Sequence, residues 1–239
     1  NYLTITIFGY AADPTMFAFF PLFPIIIRIL SLNLFLNPII VGLLFSFFVS
    51  IATAVLFFRI IKEEFSGQIA FRALLCLLLF PMSYYLFAFY TESLFLFLSL
   101  CVFYFLKKQR LILASIFVLL ASLTKIFGVL LFSLIILEAI AIFRNERKIK
   151  FAVLLAPLGL LSYMIYNWMR FGDLFLMIKS QTSTRFARDI SFLSPITQVV
   201  ESYKKVVEGP SKLYDSNFVY PVILMEIGYA LLALFILFI

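Results

Sequence analysis

The feature that most constrains this chain is its series of long apolar runs without charge. The run from Pro38 to Phe58 contains no charged residue, and similar runs follow between clusters of basic residues. A helix needs about 20 mainly apolar residues to cross a bilayer, whereas the strands of a membrane barrel alternate in polarity over about 10 residues. The runs therefore predict membrane-spanning helices.

The composition agrees with this prediction. The chain is 64% hydrophobic and 13% charged, whereas soluble domains average about 45 to 50% apolar and about 25% charged residues. Basic residues cluster between the runs, around Arg59, Lys107 and Arg144. Short basic segments mark cytoplasmic loops. We therefore interpret the net charge of +7 as a topology signal. Membrane lipids are the expected partners, and nucleic acid is not.

Metal and disulfide chemistry receive little support from the sequence. The chain has no histidine, and its two cysteines, Cys76 and Cys101, lie within apolar runs. A thiol in such a run behaves as a small hydrophobe. We predict no disulfide, no metal site and no cofactor, and we leave open whether a metal ion is required.

The predicted fold class is all-α, a polytopic membrane helical bundle with about seven membrane-crossing segments, two of them short. We expect a single integral membrane domain over residues 1–239, in which residues 1–37 form an interfacial segment on the outer face. Residues 38–168 hold the transmembrane helices, residues 169–218 an outer polar loop, and residues 219–239 the start of a further helix. Because the chain lacks an initial methionine and ends in an apolar run, we expect it to be a fragment.

Prolines and charges predict several helix boundaries. Pro38 suits the first turn of a helix, Pro81 should kink the returning span, and Glu92 should begin the next helix. Pro21 and Pro24 predict an extended segment before a short helix that carries Arg28. The basic loops that flank residues 111–143 are too far apart for one span, so we predict two short helices that turn near residues 122–125.

Under this topology several polar residues share the outer side. An ionisable residue within an apolar run costs about 2.5 to 3.5 kcal/mol on insertion scales, so Glu92 and Lys125 indicate a polar pocket, an ion pair or a position at the membrane interface. Arg28 either extends to lipid headgroups or binds phosphate. Asp13 is either a turn residue or an acidic site residue, and Tyr90 fits an interfacial aromatic belt.

Four short segments resemble, in order and spacing, the PIG-V family of mannosyltransferases. The resemblance covers about residues 1 to 190. It rests on Phe17–Pro24 followed by Arg28, on Phe89–Phe95, on Ser122–Lys125 ahead of Gly128 and Val129, and on Tyr166 with Gly172, Asp173 and Gln181.

This resemblance implies a multi-spanning GT-C glycosyltransferase that acts at the outer or lumenal membrane face. Its donor would be dolichyl- or polyprenyl-phosphate mannose, and its acceptor a lipid or glycan. The family's catalytic aspartate, in a Trp-Asp pair, is expected just upstream of Asn1, and lysine replaces the expected arginine after Leu123-Thr124. By resemblance and charge we assign three groups of residues. Donor phosphate would bind Arg28, Arg185 and Lys125; the supporting acids would be Glu92 and Asp13; the substrate loop would include Tyr90, Asp173 and Gln181.

Two other classes of function stay open. A transporter or flippase for an amphipathic solute would use Glu92 and Lys125 as a gating or coupling pair. A membrane scaffold would have no chemistry. The expected location is the plasma membrane in a prokaryote or the endoplasmic reticulum membrane in a eukaryote.

Overall fold

The computed structural model describes residues 1–10, 14–142, 151 and 153–181, and within these ranges every regular element is helical. This confirms the all-α fold class. Short 3-10 helices occupy Pro14–Ala18, Pro81–Ser83 and Ile126–Leu130. The α-helices, numbered in chain order, are α1 Tyr2–Phe8, α2 Leu22–Leu30, α3 Pro38–Glu64, α4 Gly67–Leu79, α5 Tyr84–Phe87, α6 Glu92–Lys107, α7 Leu111–Ser122, α8 Leu131–Ile142, α9 Leu158–Phe171 and α10 Leu176–Gln181.

Helix α3 begins where the sequence predicts. The side chain of Asn37 accepts a hydrogen bond from the N–H of Ile39, and Pro38 occupies the first helical turn, where no N–H is needed. The helix continues for 27 residues. Among the described residues it is the one helix whose length and apolar composition suffice to cross a membrane.

The side chains of α3 are distributed in the opposite way from those of a helix in a soluble protein. Its buried face consists of small and hydroxylated residues, whereas large apolar side chains such as Phe48 and Val55 are each 64% exposed. Small residues let helices approach closely inside a membrane, where the lipid itself solvates large apolar groups. The exposed face of α3 therefore suits contact with lipid. The buried residues are Gly42, Ser46, Ser50 and Thr53.

The predicted count of seven membrane-crossing segments is not supported. Helices α6, α7, α8 and α9 have 16, 12, 12 and 14 residues. At a rise of about 1.5 Å per residue none of them spans the roughly 30 Å hydrocarbon core by itself. The physical reason is that turns divide the apolar runs. Helix α4 stops at Leu79, two residues before Pro81, and α7 stops at Ser122 although apolar residues continue beyond it.

The break in the run of residues 111–143 lies where it was predicted. Helix α7 ends at Ser122, and the N–H groups of Thr124 and Lys125 both donate to the carbonyl oxygen of Ala121, each at 3.0 Å. Gly128 then packs against the same turn, since a Cβ at this position would lie 2.3 Å from the carbonyl carbon of Ala121. Only glycine permits the chain to return so closely to α7.

The N-terminal region differs from its prediction. Pro21 caps α2, and Pro24 lies inside its first turn, where proline costs no hydrogen bond. The two prolines therefore lie at the beginning of this helix, and the helix begins before Pro24. Phe23 and Ile27 of α2 are fully buried against Leu94 of α6 and its neighbours. Residues of the predicted interfacial segment therefore also contribute to the hydrophobic core.

Ion pairs define one end of the helical bundle. Lys107, in the last turn of α6, lies 2.7 Å from Glu64 and 3.4 Å from Glu63, and Lys108 lies 3.1 Å from Glu63. The C-terminal ends of α3 and α6 therefore meet. The N-terminal end of α6, which begins at Glu92, lies at the other end of the bundle.

Candidate functional site

Helix α1 connects two polar groups that are distant in sequence. The hydroxyl of Tyr2 lies 3.4 Å from Oγ1 of Thr91, immediately before α6. One turn further along α1, the carbonyl oxygen of Thr6 accepts a hydrogen bond from Nη1 of Arg28 at 3.4 Å. Arg28 and the start of α6 therefore flank the same short helix at one end of the bundle.

Glu92, the residue that follows Thr91, forms an ion pair with Lys125. Nζ of Lys125 lies 2.8 Å from Oε1 of Glu92, and the two side chains are 27% and 33% exposed. The ammonium group also lies 5.8 Å from the centroid of the Phe95 ring, within the range of cation–π attraction. Of the interpretations that the sequence left open, the ion pair is confirmed.

The ion pair leaves one carboxylate oxygen of Glu92 without a partner. Oε2 is buried and makes no hydrogen bond to the described residues, and the same holds for Oγ of the adjacent Ser93. Glu92 is the first residue of α6, a position at which the helix dipole favours negative charge. A buried acceptor without a donor costs about 1 to 3 kcal/mol. A hydroxyl donor from outside the chain would relieve this cost if the side chain shifted to admit it.

A cavity of about 430 Å³ opens between α1, α2 and α9, within the usual size range of small-ligand sites. Its walls are mainly apolar, and Arg28 is the only charged residue among those that line it. Ile25 is 51% exposed at the cavity's edge. The cavity is lined by Ile5, Gly9, Tyr10, Pro21, Leu22, Pro24, Ile25, Arg28, Leu123, Ser162, Tyr163 and Tyr166.

Two buried tyrosines hold one wall of the cavity in place. The hydroxyl of Tyr163 donates to the carbonyl oxygens of Phe17 and Phe19 at 3.0 and 3.2 Å, and the hydroxyl of Tyr10 donates to Phe19 at 2.6 Å. Burial, together with the nearby Tyr163, raises the pKa of Tyr10 well above its ordinary value. Both hydroxyls stay protonated near neutral pH and are committed to the backbone.

Close packing of α9 against α7 places this wall. A Cβ at Gly159 would lie 2.2 Å from the carbonyl oxygen of Leu119, so only glycine permits this approach. The N–H of Leu22 donates to the carbonyl oxygen of Leu123 at 3.0 Å and joins α2 to the end of α7. Helices α2 and α9 and the end of α7, which are distant in sequence, therefore meet around the cavity.

Three further predicted site residues, Asp173, Gln181 and Tyr90, do not line the cavity. Asp173 accepts hydrogen bonds from Nζ of Lys179 at 2.6 Å and from the N–H of Phe175 at 3.0 Å, and these bonds, the lysine's first, lower its pKa. Gln181 is the last residue of α10. Tyr90 is 44% exposed, and its ring centroid lies 5.2 Å from that of Tyr85.

Two predicted site residues, Asp13 and Arg185, lie outside the described residues, as do residues 182–218 of the predicted polar loop. Within the described ranges no cluster of three or more His, Cys, Asp or Glu side chains could hold a metal ion. Sequence analysis did not identify Tyr10 and Tyr163 as wall residues. The only sequence signal was that each is a tyrosine within an apolar run. Tyrosines of an interfacial aromatic belt show the same pattern, so the signal does not identify a wall residue.

Comparison with known proteins adds no relative. No family model, curated protein or solved structure matches the chain. The described residues define an all-helical protein that has one helix of membrane-spanning length, an apolar cavity with one arginine, and an ion pair at the same end of the bundle.

Proposed function

We propose that this protein is a membrane glycosyltransferase of the GT-C type. It would transfer a hexose, with mannose as the first candidate, from a polyprenyl-phosphate donor to a lipid or glycan acceptor at the outer membrane face. The observation that supports this proposal is that Arg28 and Thr91, the residue before Glu92 of the Glu92–Lys125 pair, both contact α1. Two cations and one carboxylate are thereby available at one end of an apolar bundle.

The transfer exchanges one carbon–oxygen bond for another. The bond between C1 of the sugar and the phosphate oxygen breaks, and its electron pair stays on the departing polyprenyl phosphate. An acceptor hydroxyl oxygen forms the new bond to C1, and its proton passes to a base. Arg28 and Lys125 would stabilise the phosphate as it gains charge, and Glu92 would orient the acceptor. By resemblance the base would be an aspartate of the family's Trp-Asp pair and not Glu92.

We also propose that the bundle crosses the membrane more than once. Exposed apolar side chains outside α3 support this topology. Phe71 of α4 is 55% exposed and Leu137 of α8 is 61% exposed. Large apolar side chains exposed on several helices suit contact with a membrane or another protein.

Transport of an amphipathic solute is the second candidate, and the Glu92–Lys125 ion pair is the feature that favours it. In transporters such pairs usually lie near the middle of the bilayer, at breaks in helices. Here Glu92 is the first residue of α6, and Lys125 follows the end of α7. Arg28 contacts the same short helix as the residue before Glu92, and this additional cation agrees better with binding of an anionic substrate.

The test measures sugar transfer directly. The full-length protein in membranes is supplied with labelled polyprenyl-phosphate mannose, and the Arg28→Ala and Arg72→Ala variants are compared with wild type. Arg72 is an exposed arginine of α4 that does not line the cavity. We expect turnover by wild type and Arg72→Ala and a loss of at least about tenfold in Arg28→Ala, since charge-assisted hydrogen bonds to phosphate disappear. No turnover by wild type would contradict the enzyme proposal.

A further inference from the structure

We infer that the cavity between α1, α2 and α9 binds the apolar chain of the donor lipid next to its phosphate, while Arg28 at the edge binds the phosphate. This inference rests on the proposed function, and it adds that the protein selects its donor by the lipid chain as well as by the phosphate. It assigns a chain-binding role to wall residues that sequence analysis left without one, above all Ser162 and Ile25.

The chemistry of the walls favours an apolar ligand. Ile5, Leu22, Pro24 and Leu123 supply aliphatic surface. Burial of apolar surface is favourable roughly in proportion to its area. A hydrocarbon chain in this cavity would therefore bury the most apolar surface and bind most favourably.

The polar groups of the walls are mostly occupied. The hydroxyls of Tyr10 and Tyr163 donate to backbone carbonyls, and the hydroxyl of Ser162 donates to the carbonyl oxygen of Gly159 at 2.8 Å. A polar ligand would have to leave its own groups unsatisfied against these walls, which is costly. A soluble phosphorylated compound is therefore a poor occupant.

Arg28 supplies the polar contact at the edge. A guanidinium group has five N–H donors, and among the described residues only Nη1 of Arg28 makes a hydrogen bond, a long one of 3.4 Å to Thr6. The remaining donors can bind a phosphate through two parallel hydrogen bonds. The hydroxyl of the exposed Tyr166 has no hydrogen-bond partner among the described residues and lies on the same cavity.

The surroundings of the cavity allow a lipid to enter from the side. Ile25 lies in the lining and is 51% exposed, and Phe8 and Ile29 nearby in sequence are 67% and 65% exposed. This apolar rim permits a chain to pass from bilayer to cavity without crossing water. The combination of apolar walls, an apolar rim and one cation fits an anionic lipid that carries its charge at one end of its chain.

The experiment measures binding and not turnover. The purified full-length protein is titrated with labelled polyprenyl phosphate that carries no sugar. Ser162→Phe fills the cavity, and Ser133→Phe is its control, because Ser133 is also an exposed helical serine that donates to the carbonyl three residues earlier. A second pair of variants tests the same cavity independently of Ser162. Ile25→Trp lies at the edge of the cavity, and its control is Ile69→Trp on α4, where Ile69 is 48% exposed and outside the lining.

We expect Ser162→Phe and Ile25→Trp each to weaken binding by at least about tenfold, while both controls bind as wild type does. Arg28→Gln should also weaken binding of the phosphate by about tenfold, but should leave the weaker binding of the neutral polyprenol unchanged, because only the phosphate needs the cation. Inorganic phosphate and phosphatidylglycerol should compete poorly.

Three results would overturn the inference. One is wild-type binding by both cavity variants, and another is competition by inorganic phosphate as strong as that by polyprenyl phosphate. The third is equal competition by phosphatidylglycerol, which would make the cavity a general site for anionic lipid. Absence of sugar transfer with normal binding overturns the glycosyltransferase proposal instead, so the two failures are distinguishable.

Discussion

Nζ of Lys125 lies 2.8 Å from Oε1 of Glu92, although 33 positions separate the two residues. The contact joins the first residue of α6 to the turn that follows α7. Both side chains lie among apolar neighbours, so each charge partly offsets the cost of the other. Variants of these two residues can show how much the pair contributes to the stability of the protein, apart from its proposed role in catalysis.

Removing one partner of the pair should cost more than removing both. Lys125→Met leaves the Glu92 carboxylate partly buried without its cation, and we expect a loss of about 1 to 3 kcal/mol in the free energy of unfolding. Glu92→Gln combined with Lys125→Met should recover much of that loss. Unfolding of wild type, Lys125→Met, Glu92→Gln and the double variant in detergent gives the coupling energy. Additive losses would show that the two side chains do not interact in solution.

Gly159→Ala should destabilise the protein because it drives α9 away from α7. The new Cβ would lie 2.2 Å from the carbonyl oxygen of Leu119, and overpacking of this kind costs about 1 to 3 kcal/mol. Gly67→Ala is the control, since a Cβ there meets no atom within 4 Å. The melting temperature should fall for the first variant only. An unchanged value for Gly159→Ala would mean that the two helices are less closely packed.

The Asp173–Lys179 interaction should make stability depend on pH in the acidic range. The hydrogen bonds from Lys179 and from the N–H of Phe175 lower the pKa of Asp173 in the folded protein. A lowered folded pKa contributes stability above the unfolded value of about 3.9, and that contribution is lost as pH falls through the folded pKa.

Melting temperatures of wild type and Asp173→Asn between about pH 2 and 6 test this contribution. We expect wild type to be the more stable protein at the upper end of this range. The difference in melting temperature should disappear at the lower end, where Asp173 of wild type is protonated and therefore uncharged, like the asparagine of the variant. Parallel curves over the whole range would contradict the assignment.

Local chemistry explains which helix boundaries were predictable. The start of α3 depends on Asn37 and Pro38, which are neighbours in sequence, and the start of α6 at Glu92 follows a similarly local signal. The hairpin turn near Ser122 followed from the spacing of basic loops. Pro24 was misjudged because its effect depends on where the helix begins, and the first turn of α2 needs no N–H from it.

The site was only partly predictable, because it depends on contacts across the bundle. The sequence identified Arg28, Glu92 and Lys125 as costly charges in apolar surroundings. It did not predict that α1 would contact Arg28 through Thr6 and Thr91, the neighbour of Glu92, through Tyr2. It also did not predict the cavity, one wall of which lies on α9, the helix that packs closely against α7 at Gly159.

The sequence by itself determined that this protein is helical and that one helix is long and apolar enough to cross a membrane, because composition and local caps are properties of neighbouring residues. The tertiary structure alone decided that an arginine borders an apolar cavity and that an ion pair joins the start of α6 to the turn after α7. Those features depend on packing between residues far apart in the chain, and no local pattern specifies such packing.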